Sequence, residues 1–456
     1  MSHSGPNPAP LQKPAGANRL RFRQTVTVVL LFTGYAAYYF CRSDLSVAMP
    51  LLIDHLHRRG MSSNDAIVHL GMIASLGVLA YAVGKLFLTA LGDIWGGKRS
   101  FTLGLGGAIA FTLLFASGGT LPMFTIAWIG NRLTQSIGWA GLVKVCSKWF
   151  HYSSYGAIMG ILSLSFLIGD AAARRSMGLL LQHGYGWRAL FYFATGVAGC
   201  TLIANLLFLR ESRVETGYPE VQANPLNLFG GSRAKPQSFW ALVKPLLSSR
   251  AFIFVCLLSL GCTIVRETFN TWTPVYFHNF FGYSDSSAAS MSAIFPAVGA
   301  ASVIITGWAS DKLGVTGRAM IMFFGLAATV VTLMILAFIP RATSASIIPA
   351  TLVGVVAFCL LGPYSYLAGA FALDFGGKQA GATSSGIIDG VGYLGGVLAG
   401  DTVARVAVRF GWHGVFVALA AVSALSALAA GYLFLYQSMQ MKNKSGESGA
   451  ERRPAL

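Results

Sequence analysis

The chain alternates between long apolar segments and short polar connections. Helical segments of about 18 to 25 apolar residues match the ~30 Å hydrocarbon core of a bilayer. Such segments number twelve, six on each side of one long polar stretch, and the pattern therefore predicts an all-α membrane protein with twelve transmembrane helices. The predicted spans lie at about residues 25–47, 67–91, 100–118, 121–145, 155–180, 187–209, 251–274, 286–309, 319–340, 345–371, 380–402 and 412–437.

The long polar stretch, residues 210–249, predicts a cytoplasmic linker between two six-helix bundles. We place these bundles at residues 25–209 and 250–438. The end of the stretch, FWALVKPLLSS, predicts a short amphipathic helix on the membrane surface. Residues 1–24 and 439–456 are polar, and we expect disordered cytoplasmic tails there.

Composition supports a membrane protein. The chain is 54% hydrophobic and only 11% charged, whereas a soluble protein has about 25% charged residues. The six cysteines lie within the apolar segments without a CxxC pair, so we expect buried thiols and no metal site. The sequence contains no HExxH, GxSxG or Walker motif, and we therefore expect neither an enzyme nor a cofactor.

Basic residues in the connections indicate the orientation. Lys and Arg collect in alternate connections and near both ends of the chain, which places both termini in the cytoplasm by the positive-inside rule. We expect a multi-pass protein of a bacterial inner membrane that functions as a monomer and binds no nucleic acid. The net charge of +17 suits both an anionic substrate and attraction to anionic membrane lipids.

An internal repeat relates the two halves. An offset of 224 residues places Arg42 on Arg266 and Pro50 on Pro274. A charged residue inside a span costs about 2.5–3.5 kcal/mol on insertion scales. An arginine that snorkels to the interface explains one such residue but not its symmetric partner. In parallel repeats the substrate lies between the halves, so we predict that the two arginines face each other across a central cavity.

The arginine pair predicts binding of a divalent oxyanion. Two guanidinium groups stay charged and donate bidentate hydrogen bonds, a combination that suits phosphate better than a single carboxylate. Three tyrosines precede Arg42 on one broad helix face and supply either hydroxyl donors or an interfacial aromatic belt. These are Tyr35, Tyr38 and Tyr39.

Further charged residues lie within the predicted spans. Lys85 follows Tyr81 by one helical turn and is either a third cation of the cavity or the partner of an acid. Asp170 and Arg174 are spaced for a local ion pair or for tuning substrate choice and coupling. Glu267 is adjacent in sequence to Arg266 and either holds this arginine in place or competes with the anion for it.

Arg132 belongs to R-x-x-Q-x-x-G, a motif similar to one in proton-linked facilitators. It is either a third cavity charge or a partner of Asp170. Gly390, Gly392 and Gly395 spell GxGxxG inside a predicted span. No strand precedes them, so the spacing predicts close helix packing rather than nucleotide binding.

Charged residues after spans 2 and 8 occupy similar positions in the two halves, in GDIWGGKR (92–99) and SDKLGVTGR (310–318). We predict that they form cytoplasmic latches between helices that break during transport. The predicted latch residues are Asp93, Lys98, Arg99, Asp311 and Arg318.

Several of these motifs together resemble one family. The chain is similar to the organophosphate:phosphate antiporters of the major facilitator superfamily over nearly its whole length. The motifs are GYAAYYFCRSDLSVAMP (34–50), Tyr81 with Lys85, GDIWGGKR, IGWAGLVKVCSKWF (137–150) and RETFNTWTP (266–274). GIIDGVGYLGG (386–396) is most similar to the sugar-phosphate exchangers of animals and plants.

The resemblance implies the major facilitator fold and the exchange of an organic phosphate for inorganic phosphate. It also implies that Arg42 and Arg266 bind the phosphate. The residues it places around that phosphate are Lys85, Tyr39, Tyr81 and Tyr393.

The chain also departs from the family. Ala140 and Gly141 replace a frequent Pro-Pro pair, and Phe166 stands where some members have a histidine. These departures leave the organic part of the substrate open. Two alternatives stay open as well: a proton-coupled transporter of another organic anion, and a membrane sensor of sugar phosphate that does not transport.

Overall fold

A computed structural model describes residues 17–88, 96–150, 152–220, 239–340, 347–367, 371 and 386–450. Within these ranges all regular secondary structure is helical, which confirms the all-α prediction. The helices are α1 (Ala17–His57), α2 (Ser63–Phe87), α3 (Gly97–Ser117), α4 (Leu121–Gln135), α5 (Gly138–Trp149), α6 (Tyr152–Gln182), α7 (Trp187–Phe208), α8 (Phe239–Ser248), α9 (Arg250–Phe281), α10 (Asp285–Ser292), α11 (Ile294–Phe338), α12 (Ile348–Tyr364), α13 (386–398) and α14 (Asp401–Ala450).

Eight helical segments of the described residues are long and apolar enough to cross a membrane. Large apolar side chains such as Ile203 and Phe324 are 59% and 63% exposed, as expected for a surface that faces lipid. Cys200 lies on this surface. It is therefore not a buried thiol, and the prediction was wrong for this residue because α7 turns it away from the bundle.

Helix α11 contains two spans. Gly299 lies against Leu361, and Gly325 lies against the carbonyl of Cys359 on the same turn of α12. A straight helix would separate the two glycines by about 39 Å. The chain therefore reverses direction between them, which agrees with predicted spans 8 and 9.

Predicted span 4 is divided, which corrects the single helix expected there. Helix α4 ends at Gln135 and α5 begins at Gly138. The hydroxyl of Ser136 donates to the carbonyl of Leu133 over 2.6 Å, and this bond tightens the last turn of α4. Gly138 then lies directly against the ring of Tyr38, where a side chain would not fit.

The end helices extend into the predicted tails. Helix α1 begins at Ala17 rather than near residue 25, and α14 continues to Ala450. No proline or glycine interrupts residues 18–33 or 432–445, so each helix propagates from its apolar span into the polar flank. The rest of both tails lies outside the described residues.

The predicted surface helix is present as α8, in which Val243 and Leu246 are buried and Lys244 is exposed. One face of α8 is therefore buried against the protein, and another face is exposed. Residues 221–238 of the predicted linker are outside the described part of the chain.

Helix α1 is kinked at the residue before Arg42. Cys41 has φ −81° and ψ 16°, outside helical geometry. The N–H of Leu45 donates to Asp44 Oδ1 over 2.7 Å. Gln135 Nε2 donates to the Cys41 carbonyl over 2.9 Å. Gln135 therefore ties α4 to the kink of α1.

The two halves meet at one end of the molecule. This end carries residues 58–62, 183–186 and 282–284, and we call it the distal end. The sequence predicts that it faces outward. Pro274 cannot donate a hydrogen bond to the carbonyl of Asn270. The hydroxyl of Ser46 takes this role, at 2.8 Å. Ser46 and Asn270 are themselves 224 residues apart, so equivalent positions of the repeat touch across the interface.

Small residues allow close helix packing at two places, one between the halves and one within the C-terminal half. Gly400 lies against Ser75 and the carbonyl of Gly71 on α2, and Gly392 lies against Ser259 and Thr263 on α9. The packing prediction is confirmed for Gly392 and for Gly395, which lies against the carbonyl of Leu260, but not for Gly390, beside which the described residues leave open space.

Glu211 joins helix ends away from the distal end. Its carboxylate accepts hydrogen bonds from the N–H groups of Gly97 and Lys98 at 2.8 and 2.6 Å, and from Lys148 Nζ at 2.6 Å. These donors outweigh the effect of partial burial and hold the pKa of Glu211 below its ordinary value. Glu211 thereby caps α3 and ties it to α5.

We expect the variant Glu211→Gln to lower the melting temperature at neutral pH, because a carboxylate with three donors contributes about 1–2 kcal/mol. A lowered folded-state pKa means that the stabilisation is present above the unfolded pKa of about 4.3 and is lost as the pH falls through the folded value. The difference from wild type should therefore shrink below about pH 4. Thermal unfolding in detergent across pH 3–8 measures it. The exposed Glu220→Gln should show no difference at any pH, and a pH-independent effect of Glu211→Gln would contradict the assignment.

Candidate functional site

Two neighbouring cavities lie between the halves. The larger has a volume of about 250 Å³ and is lined by residues of both halves, including Lys85 and Arg266. The smaller has a volume of about 50 Å³ and is lined by Arg42 and Arg132 among others. Tyr39 lines both, so the two cavities form one polar centre in the membrane-spanning bundle.

The ring of Tyr81 is surrounded by three cations. The guanidinium carbons of Arg42 and Arg132 lie 4.7 and 5.1 Å from its centroid. Lys85 Nζ lies 5.3 Å away. A tyrosine ring attracts cations through its quadrupole, and this attraction offsets part of the cost of burying like charges together.

Tyr393 of the other half extends this arrangement. Its ring packs edge-on against Tyr81, with centroids 5.2 Å apart. Lys85 Nζ and the Arg266 guanidinium lie 5.0 and 5.9 Å from the Tyr393 centroid. Arg266 also lies 4.5 Å from the Tyr364 ring. The tyrosine pair therefore connects the cations of both halves.

Lys85 has an acid partner. Its Nζ lies 2.8 Å from Asp389 Oδ2, 304 residues away on α13. The sequence left open whether Lys85 was a cavity cation or the partner of an acid, and the structure shows both. Asp389 was missed, although it stands inside the quoted segment GIIDG, because nothing in the sequence pairs it with α2.

The second arginine of the repeat is also paired. Arg266 Nη2 donates to Glu267 Oε1 over 2.6 Å, and both side chains are nearly buried. Arg266 Nε has no hydrogen-bond partner within the described ranges. Glu267 thus holds Arg266 and leaves one donor available.

Asp170 and Arg174 form the predicted local ion pair, with Nε 2.8 Å from Oδ1. They also do more. Arg174 Nη2 donates to the Asn270 carbonyl over 2.7 Å, and Nη1 reaches Ser292 Oγ at 3.3 Å. Ser43 donates to Asp170. The pair therefore binds α6 to α9 and α10 of the other half at the distal end.

The three tyrosines of α1 divide into two groups. Tyr35 and Tyr39 line the larger cavity. Tyr38 lines neither, and its hydroxyl donates to the Phe101 carbonyl over 2.5 Å. Tyr38 therefore lies outside both cavities, contrary to its prediction as a substrate ligand, because its ring is buried in the bundle and its hydroxyl is already bonded.

Other aromatic residues of the larger cavity were missed as ligands. Trp139 packs against Tyr35 with centroids 5.1 Å apart, and Phe166, at the position of the family histidine, packs against Tyr39 at 5.7 Å. Tyr364 completes this aromatic lining.

The predicted latches are only partly described. Lys98 Nζ donates to the Leu206 carbonyl over 3.0 Å within the same half, and Arg99 is exposed. Arg318 is partly buried. Asp93 and the side chain of Asp311 lie outside the described residues, so breakage of these contacts during transport stays a prediction.

Comparison with known proteins identifies the family of the chain. The family described as Major Facilitator Superfamily matches residues 31–400. The chain is 27% identical over 414 residues to the "Probable hexose phosphate transport protein" of Chlamydia trachomatis, covering 87% of this chain and 88% of that one. It is 25% identical to the "Membrane sensor protein UhpC" of Escherichia coli, covering 90% and 92%.

Solved structures agree on the fold. A bacterial homolog of the human lysosomal transporter Spinster superposes with a TM-score of 0.70 at 15% identity, covering 92% of this chain and 98% of that one. This superposition confirms the predicted fold, and the sequence relatives confirm the resemblance inferred from the motifs.

We expect Lys85 and Asp389 to be energetically coupled, because each is about three-quarters buried and loses its partner when the other is replaced. In a cycle of Lys85→Gln, Asp389→Asn and the double variant, the double variant should be more stable than the sum of single effects by about 1–2 kcal/mol. Thermal unfolding of the purified protein measures it.

The control is the pair Asp401 and Arg405, in which the arginine side chain is 64% exposed. Its cycle of Asp401→Asn and Arg405→Gln should show no measurable coupling. Additive effects at Lys85 and Asp389 would contradict the ion pair.

Proposed function

The chain belongs to the major facilitator superfamily, and we propose that it exchanges an organic phosphate for inorganic phosphate by alternating access. The observation that carries the proposal is the polar centre itself, in which cations from both halves surround the pair Tyr81 and Tyr393. A buried cluster of cations requires a counter-charge. A phosphate dianion supplies it.

Arg42 and Arg266 are the proposed phosphate ligands, one from each half. The dianion attracts both guanidinium groups and draws together the halves, which we place at residues 25–209 and 250–438. Without an anion the like charges repel, so the empty protein changes state less readily. Exchange rather than leak follows from this difference in affinity between states.

The contacts at the distal end support one state of such a cycle, in which the outer side is closed. Arg174 and Ser46 bridge the halves there, which corresponds to closure on the predicted outer side. Opening outward would break these bonds and expose the carbonyl that Pro274 leaves without a helical donor.

The larger cavity is the proposed place of the organic part. Its aromatic wall of Trp139, Phe166 and Tyr364 suits stacking against the apolar face of a sugar, and the Asp389 carboxylate can accept hydrogen bonds from hydroxyl groups. A glycerol or sugar phosphate therefore fits this lining.

One observation favours a second function. The likeness to a membrane sensor from Escherichia coli suits a protein that binds sugar phosphate without moving it. Binding without flux in proteoliposomes would identify such a sensor.

The variant Arg266→Lys should reduce exchange about 10- to 100-fold, since lysine keeps the charge but loses the bidentate geometry, a difference of about 1.4–2.8 kcal/mol. The measurement is counterflow of labelled phosphate in proteoliposomes against external glycerol 3-phosphate or glucose 6-phosphate.

Arg188 provides the matched control, because it lines neither cavity and donates to the carbonyls of Ala116 and Gly118. Arg188→Lys should exchange at nearly the wild-type rate. An equally active Arg266→Lys would contradict its proposed role, and absence of exchange in the wild type would contradict the function.

A further inference from the structure

We propose that Arg132 and Arg42 form a compact phosphoryl-binding subsite in the smaller cavity, shared by both exchanged substrates. This inference rests on the proposed function and adds to it a third guanidinium group, contributed by α4. The chemical class of the ligand is a tetrahedral dianion, either inorganic phosphate or the phosphoryl group of a phosphate monoester.

Arg132 is a buried charge with unused donors. It is only 3% exposed, and it lines the smaller cavity. Its Nε and Nη1 have no hydrogen-bond partner among the residues that the structure describes. Leaving donors of a buried cation unpaired is costly, so these atoms indicate a place where a ligand binds.

The neighbouring acids are otherwise engaged. Asp170 accepts hydrogen bonds from Arg174 and Ser43, so the expectation that it pairs with Arg132 is not met. Glu267 binds Arg266. Asp44 is fully buried, but its Oδ1 accepts from the Leu45 N–H and its Oδ2 has no partner in the described ranges. None of these acids therefore satisfies Nε or Nη1 of Arg132.

Charge and size indicate the class of ligand. Among the cations that line the smaller cavity, Arg174 is balanced by Asp170, whereas Arg42 and Arg132 have no ion pair within the described part of the chain. Two such guanidinium groups match a dianion. The volume of about 50 Å³ is the smaller of the two and suits one compact oxyanion.

The two cavities then hold different parts of the substrate. The phosphoryl group lies between Arg42 and Arg132, and Tyr39 marks the border with the larger cavity, where the organic part lies. Arg266 approaches from that side with its free Nε. Inorganic phosphate occupies only the smaller cavity and keeps the contact from Arg266 across this border, so both substrates can use one subsite in turn.

Equilibrium binding of labelled inorganic phosphate and of glycerol 3-phosphate to the purified full chain tests the subsite. We expect Arg132→Gln to weaken binding of both ligands about 10- to 100-fold, because one charge-assisted bidentate contact is lost. Arg132→Lys should recover part of the affinity, and it reports on the subsite even if the glutamine variant does not fold. Arg188→Gln, outside both cavities, should bind both ligands normally.

Thermal stability separates a ligand-binding role from a structural one. Without ligand, Arg132→Gln should melt at or above the wild-type temperature, since a buried charge with unpaired donors is removed. Added phosphate should stabilise the wild type and much less the variant. A lower melting temperature without ligand, combined with normal phosphate affinity, would show that Arg132 only balances Asp44 and would overturn the subsite.

The outcomes also separate the subsite from the function. Exchange by the wild type with unchanged phosphate affinity in both Arg132 variants overturns the subsite alone. Phosphate binding that depends on Arg132, without exchange, supports the subsite and overturns the proposed exchange. No binding of either ligand by the wild type overturns the subsite.

Discussion

The buried cations around two tyrosine rings constrain the rest of this structure. Guanidinium and ammonium groups lose their hydration inside a membrane bundle, and each must recover it from aromatic faces or acids. Tyr81 and Tyr393 provide the faces, and Asp389 and Glu267 provide acids for Lys85 and Arg266. The helices that carry these groups must therefore converge on one centre.

The repeat explains how the halves meet. Each half carries a proline eight residues after its arginine, and each proline leaves one carbonyl without its helical donor. In the described contacts, Ser46 and Arg174 occupy the carbonyl of Asn270. The bond that closes the distal end thus uses an acceptor that the sequence itself makes available, and it can be exchanged for water when the halves separate.

Much of the architecture could be predicted because apolar length and periodicity record the cost of exposing backbone to lipid. The broken span near Ser136 could not, because both of its parts are equally apolar and the break depends on Tyr38 packing against Gly138. The partners of Arg174 on α9 and α10 could not be predicted from the sequence either. Hydrogen bonds across 96 and 118 residues leave no local pattern.

The sequence by itself determined the membrane class, the repeat, and Arg42 and Arg266 as its equivalent charges, because each follows from residue type and spacing along one chain. Only the tertiary structure decided which charges are balanced. It assigned Asp389 to Lys85, removed Tyr38 from the cavity, and left Arg132 buried with unused donors. The physical reason is that electrostatic pairing depends on distance in space, and burial makes that distance decisive.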